Sequence, residues 1–292
     1  MNGVIVLSKN NSNEGSISSA ATTPGALSTF DEEGLLVPFF VSQKNQGKWA
    51  SLAKKCKIPL GQIPWAILST SILQLIFHIF SDKTLQRHLR FEPKKQKEVW
   101  RFFSYMLVHD DWYHLVLNIL MQCLFAFFVE KKQGKCPVLA VYILGGGTGV
   151  LGASCVHPDL VIGASAGVYA LLISMIADIA LNFEVIKYKM SRIACIGIIV
   201  LSDIIYNVVH FCSRDEPLIS WGAHIVGGAT GFLVGLVIFK RSNEPLSKRR
   251  NKILFWAALI FYICLLISLV TLSLQIKKCT PANSFKKYVY FC

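Results

Sequence analysis

Ser165 stands in GASAGVYALL, residues 163–172, between Gly163 and Gly167; His224 stands in WGAHIVGGATGFLVG, residues 221–235. Both stretches are otherwise small or apolar. A serine hydroxyl becomes a nucleophile toward a carbonyl when an imidazole within hydrogen-bond reach takes its proton. The two residues therefore point to acyl transfer, provided that the fold brings them together. GxSxG alone is a weak sign, because the strand–turn–helix setting of a hydrolase elbow is absent.

The elements that must carry these side chains are apolar helices. Of the 292 residues, 53% are hydrophobic, and mean hydropathy is +0.48 despite 30 Lys and Arg. The charges must then be segregated between apolar runs. Seven such runs, near 63–80, 113–130, 137–156, 162–182, 193–212, 218–239 and 253–275, each approach the roughly 20 residues that cross a bilayer core. The expected fold is an all-α polytopic membrane protein with seven transmembrane helices. Its membrane domain covers 58–275, after a disordered cytosolic arm over 1–57 rich in Ser, Asn, Thr and Gly. A short lumenal or extracellular tail, 276–292, follows. The net charge of +13 belongs to bases flanking the spans rather than to a nucleic-acid surface, and no nucleic-acid module is recognisable. Nine cysteines show no CxxC spacing, so no zinc site or redox motif is suggested, and acyl transfer by a serine and a histidine needs no metal or cofactor. Whether Cys279 and Cys292 pair is left open.

A cytosolic N-terminus puts more Lys and Arg inside than outside. The first outer loop dissents, with seven bases between Lys83 and Arg101, interspersed with Leu85, Leu89 and Phe91. With seven alternating spans, the second, fourth and sixth run in the same direction. His114 and Asn118 then fall early in the second span, Ser165 early in the fourth, and His224 about two turns into the sixth. Polar side chains are costly in a membrane, so their convergence at one depth is a functional signal. Gly227, Gly231 and Gly235 lie on the His224 face at four-residue spacing, a pattern that lets helix backbones approach closely. Gly163, Ala164, Ala166, Gly167, Ala170 and Ser174 offer a small surface on the fourth span. Tyr169, one turn beyond Ser165, shares its face and is placed to stack on the imidazole. A supporting acid is not expected. Asp178 is 13 residues past Ser165, about 20 Å deeper at 1.5 Å per residue. Asp203 falls mid-span in the fifth run and Glu130 at the inner end of the second. The residues read as a Ser–His dyad without a carboxylate.

Together these features resemble the rhomboid family of intramembrane serine proteases over about 63–275. The likeness rests on Trp100-Arg101, His114 and Asn118 in HxxxN, GxSxG around Ser165 with Tyr169 one turn on, and AHxxGxxxG from Ala223-His224. HDDWYHLVLNI and GASAGVYALL most resemble the animal secretory-pathway members, whose six-plus-one layout the last span matches. The resemblance implies Ser165 as nucleophile and His224 as general base. Asn118, His114 and the Ser165 backbone N–H would line an oxyanion hole; Trp100 and Arg101 would anchor the first loop. Ala166 departs from the family, where Gly is common. Implied substrates are single-pass transmembrane proteins, growth-factor precursors among them, cut in or beside their span to release lumenal or extracellular fragments. The implied location is the lipid bilayer of the secretory pathway (Golgi or endosome) or the plasma membrane. The alternative is a catalytically inactive rhomboid-like protein that binds and traffics membrane clients; retention of Ser165, His224, Asn118 and GxSxG argues against it.

Overall fold

Each long apolar run becomes a helix. The computed structural model describes residues 63–92, 95–156, 161–214, 221–241 and 245–279. The arm expected over 1–57, most of the tail expected over 276–292, and Cys292 lie outside the described residues. The long helices are α1 (Trp65–Phe80), α4 (Trp112–Gln133), α5 (Lys135–Val156), α6 (Ser165–Leu181), α7 (Lys189–Arg214), α8 (Trp221–Ile238) and α9 (Pro245–Cys279). Between α1 and α4 come the short α2 (Lys83–Leu89) and α3 (Arg101–Ser104) and a 3-10 turn, Tyr105–Leu107. Five helices, α4, α5, α7, α8 and α9, are long and apolar enough to cross a membrane. The other two, α1 and α6, are apolar but have 16 and 17 residues. The chain is an all-α polytopic membrane protein.

Local chemistry sets the boundaries. Asp82 caps α2 by accepting from the Leu85 N–H at 2.8 Å, and Asp111 caps α4 by accepting from the His114 N–H at 2.7 Å. Gly134, at φ +90°, is the whole connection between α4 and α5, and glycine adopts that backbone without a Cβ penalty. Glu130 accepts from the Ala66 N–H at 3.3 Å, placing a carboxylate at the N-terminus of α1.

Hydrophobicity cannot drive one apolar helix onto another in lipid, so small residues and buried hydrogen bonds must do it. The tightest packing joins α5, α6 and α8. A Cβ on Gly227 would meet the backbone of Ala166, one on Gly231 the backbone of Ala170, and one on Gly235 the Ala177 Cβ at 2.9 Å. α6 and α8 therefore run parallel with their backbones nearly touching. Gly145 and Gly149 of α5 close the third side, against Ala170 and Ala166. The buried Thr148 and Thr230 hydroxyls join α5 to α8 at 2.7 Å. On the α1 side, Gln74, Gln122 and Tyr142 hydrogen-bond one another, tying α1, α4 and α5. At the end of the bundle away from Ser165, Asp178 binds Lys132, Gln133 and Asn182. Asn182 also donates to the Lys240 carbonyl at 3.1 Å, and the Lys240 N–H donates to Gln133 at 2.6 Å. Asp178 is thus a fastening between α4, α6 and the end of α8.

Candidate active site

Ser165 is the first residue of α6, and it is partly exposed. Its N–H is among those at a helix N-terminus that have no intrahelical acceptor, and the helix dipole favours negative charge there. The segment leading into it is held from two sides. Phe91 and Val161 exchange backbone hydrogen bonds at 3.2 and 3.3 Å, and the Gly163 N–H donates to the Val108 carbonyl at 2.8 Å. Gly163 sits at φ +90°, and a Cβ there would lie 2.6 Å from the His114 ring. Glycine is required twice over: for the backbone angle, and to let an imidazole lie against the chain two residues before the nucleophile.

His224 lies in the first turn of α8, earlier in its helix than the two turns expected, because α8 starts at Trp221. It is 6% exposed. The Tyr169 ring stacks on it, centroids 4.2 Å apart and planes 16° from parallel. His224 Nε2 is buried and has no hydrogen-bond partner among the described residues. It is not hydrogen-bonded to Ser165 here. Gly227, one turn after His224, nevertheless touches Ala166, the residue after Ser165, so the two ends are adjacent. Catalytic hydrogen bonds are often long in an empty site and tighten when substrate binds.

The expectation that no carboxylate reaches His224 needs correction. Asp203 on α7 reaches His224, with Nδ1 and Oδ2 3.3 Å apart, and the Tyr169 hydroxyl donates to the same Oδ2. Asp203 lies mid-helix on α7, yet the contact puts it level with His224 in the first turn of α8, so the eleven residues of α7 after Asp203, about 16 Å of helix, extend beyond that level. A signal was present in the sequence. Ile196, Ile199, Val200, Asp203 and Asn207 form one helical stripe, and in the structure these are buried or half-buried residues on a largely exposed helix.

Asn118 is buried on α4 and spends one amide N–H on the His114 carbonyl, at 2.9 Å, leaving a second. His114 is half-buried, with His109 edge-on to it at 5.1 Å. Burial, together with the neighbouring His114, pushes the His109 imidazole down to about 3, so it presents a neutral ring. Gly167 faces the Tyr142 ring and Met106, where a Cβ would have 2.8–2.9 Å of room. Ala166, where the resemblance leads one to expect Gly, fits because its methyl faces Gly149 of α5.

Arg101 is 2% exposed and does not approach Ser165 in any hydrogen bond. Its guanidinium donates to the Arg87 and Arg90 carbonyls at 2.8 and 2.7 Å and to Glu98 at 2.6 Å. Trp100 is exposed and stacks on His88 at 5.6 Å. Ser104 donates to the Leu89 carbonyl at 2.8 Å. These contacts fold the first loop, which holds the segment before Ser165 at Phe91 and at Val108. The dissenting charge of that loop is partly neutralised on the spot, with Arg90 and Lys95 on Glu92 and Arg101 on Glu98.

The chain is similar in sequence to known proteins of one family. A family model described as the Rhomboid domain matches residues 96–241, which contain α3 to α8. Rhomboid-related protein 2 of Mus musculus is 31% identical over 76% of this chain and 69% of its own length. Rhomboid-related protein 1 of Caenorhabditis elegans is 31% identical over 59% of the chain, and Inactive rhomboid-related protein 2 of the same organism 26% identical over 59%. The matched region covers 48% and 50% of those two proteins, about half of each. With Ser165 opening one helix, His224 opening its parallel neighbour, and the family model laid over both, the chain belongs to the rhomboid family.

Proposed function

We propose that this chain is an intramembrane serine endopeptidase with Ser165 as nucleophile and His224 as general base. The observation that carries the reading is the junction of α6 and α8. It sets a partly exposed serine at a helix N-terminus beside a buried imidazole whose Nε2 is unengaged. Ser165 Oγ attacks the carbonyl carbon of the scissile peptide while its proton passes to Nε2. The oxyanion forms near the Ser165 N–H, the second amide N–H of Asn118, and His114. One well-placed donor of this kind is worth roughly 3–4 kcal/mol. The tetrahedral intermediate collapses, the C–N bond breaks, and His224 returns the proton to the leaving amine. Water then hydrolyses the acyl-enzyme by the same route.

The substrate class follows from the setting. A spanning helix hides its carbonyls in its own hydrogen bonds, so a cleavable segment must unwind near Ser165. We take the substrates to be single-pass membrane proteins cut in or beside their span, with growth-factor precursors among the candidates. Products would leave on the face from which water reaches Ser165. With a cytosolic N-terminus this is the lumenal or extracellular face of a secretory-pathway or plasma membrane. One relative carries the word inactive in its name, and a scaffold that binds clients without cutting them is the second reading. The experiment that separates them is co-expression of wild type or Ser165→Ala with a tagged single-pass growth-factor precursor. The protease reading predicts release by the wild type and none by Ser165→Ala. Equal release by both would sink it.

A further inference from the structure

The mechanism above gives no role to the carboxylate on α7. Resting on the reading of Ser165 and His224 as nucleophile and base, we infer that Asp203 is a positioning residue that holds His224 in its reactive tautomer. A carboxylate can only accept, so the His224 nitrogen 3.3 Å from Asp203 Oδ2 must be the one bearing hydrogen. A neutral imidazole has one N–H and one lone pair. With hydrogen on Nδ1, the lone pair falls on Nε2, the nitrogen left unengaged and needed to take the Ser165 proton. The ring cannot easily turn away, because Tyr169 lies flat on it and fastens its own hydroxyl to the same Asp203 oxygen.

The carboxylate also acts during the reaction. When the proton moves from Ser165 Oγ to Nε2, the ring becomes an imidazolium among apolar helices, where an unpaired charge is costly. Asp203 remains ionised, accepts from Nδ1–H throughout, and offsets that charge; no proton passes to it. Its own placement is held by α7. Ile196, Ile199 and Val200 pack inward below it, and Asn207 donates to its carbonyl at 2.8 Å.

The test compares Asp203→Asn and Tyr169→Phe with the wild type and Ser165→Ala, all reconstituted in nanodiscs with one single-span substrate. Asparagine keeps the shape but loses the charge, and its amide can donate to the lone pair of the opposite tautomer. We expect kcat to fall about 10³-fold in Asp203→Asn, with KM within about threefold, the kind of loss that follows removal of an orienting acid. Tyr169→Phe leaves Asp203 on Nδ1, and its kcat should stay within about tenfold of wild type. Nitrogen-15 NMR of histidine-labelled protein, with His224 assigned through His224→Gln, supplies a readout that needs no turnover. It should show hydrogen on Nδ1 in the wild type and a shift toward Nε2 in Asp203→Asn. The inference fails if wild-type His224 carries hydrogen on Nε2, or if Asp203→Asn keeps its rate within threefold. It also fails if the rate falls with the tautomer unchanged, or if Tyr169→Phe loses as much as Asp203→Asn. A rate that falls with the tautomer unchanged would make Asp203 a strut for α7. Cleavage by Ser165→Ala at the wild-type rate would instead refute the underlying reading.

Discussion

Gly163 shows how one missing side chain can govern a site. Its φ of +90° costs other residues about 1–3 kcal/mol, and its absent Cβ is the space the His114 ring occupies. Gly134 has the same φ with nothing within 4 Å. The pair makes a controlled comparison. Gly163→Ala should displace the His114 ring and, on the proposed oxyanion role of His114, lower cleavage about 10²-fold. Gly134→Ala should cost only stability. Cleavage rates and thermal unfolding of both variants check this, and equal losses would mean that backbone strain alone is at work. Ser165, His224 and Tyr169 were legible as a group, because residue type, one-turn spacing and shared helix direction all bear on side chains carried by α6 and α8. Asp203 was not, since where its helix ends relative to α8 is a tertiary fact that a run of apolar residues leaves open.

At the scale of elements, the seam between α6 and α8 decides whether Ser165 and His224 meet. The four-residue glycine repeat of α8 was readable, and its partners are the alanines of α6. Less readable was the part of α5, whose Gly145 and Gly149 admit Ala170 and Ala166 and make a three-helix contact of what looked like a pair. Periodicity shows which face of a helix is small but not how many neighbours use it. Gly231→Val would drive its side chain into the Ala170 backbone and part the two helices, and we expect cleavage to fall at least about tenfold. Gly197→Val, on α7 with nothing within 4 Å, should leave cleavage near wild type despite the same change of residue. Full activity in Gly231→Val, measured beside that control, would show that the seam does not set the site. The first loop is an element of the same kind, in which the buried Arg101 guanidinium organises the chain that holds Val161 and Gly163 in place.

At the scale of the molecule, a short helix solves a problem of access. α6 has 17 residues and spans about 26 Å, less than a hydrocarbon core of about 30 Å. One end must therefore stop short of the core's edge, and in the proposed protease that end is the N-terminus, with Ser165. The non-helical backbone at 161–164 survives at that depth because it is bonded to Phe91 and Val108 and largely buried in protein. Around this centre, α4, α7 and α9 present outward apolar side chains such as Leu120, Ile204, Val208, Phe261 and Ile267 to the lipid. We propose that Ser165 is an activated nucleophile there, and this can be tested without knowing the natural substrate. The measurement is labelling of the purified, lipid-reconstituted protein by a fluorophosphonate probe, with the adduct located by mass spectrometry. An adduct should form on Ser165 in the wild type and be lost in His224→Ala. An unlabelled wild type, or labelling undiminished without His224, would contradict it.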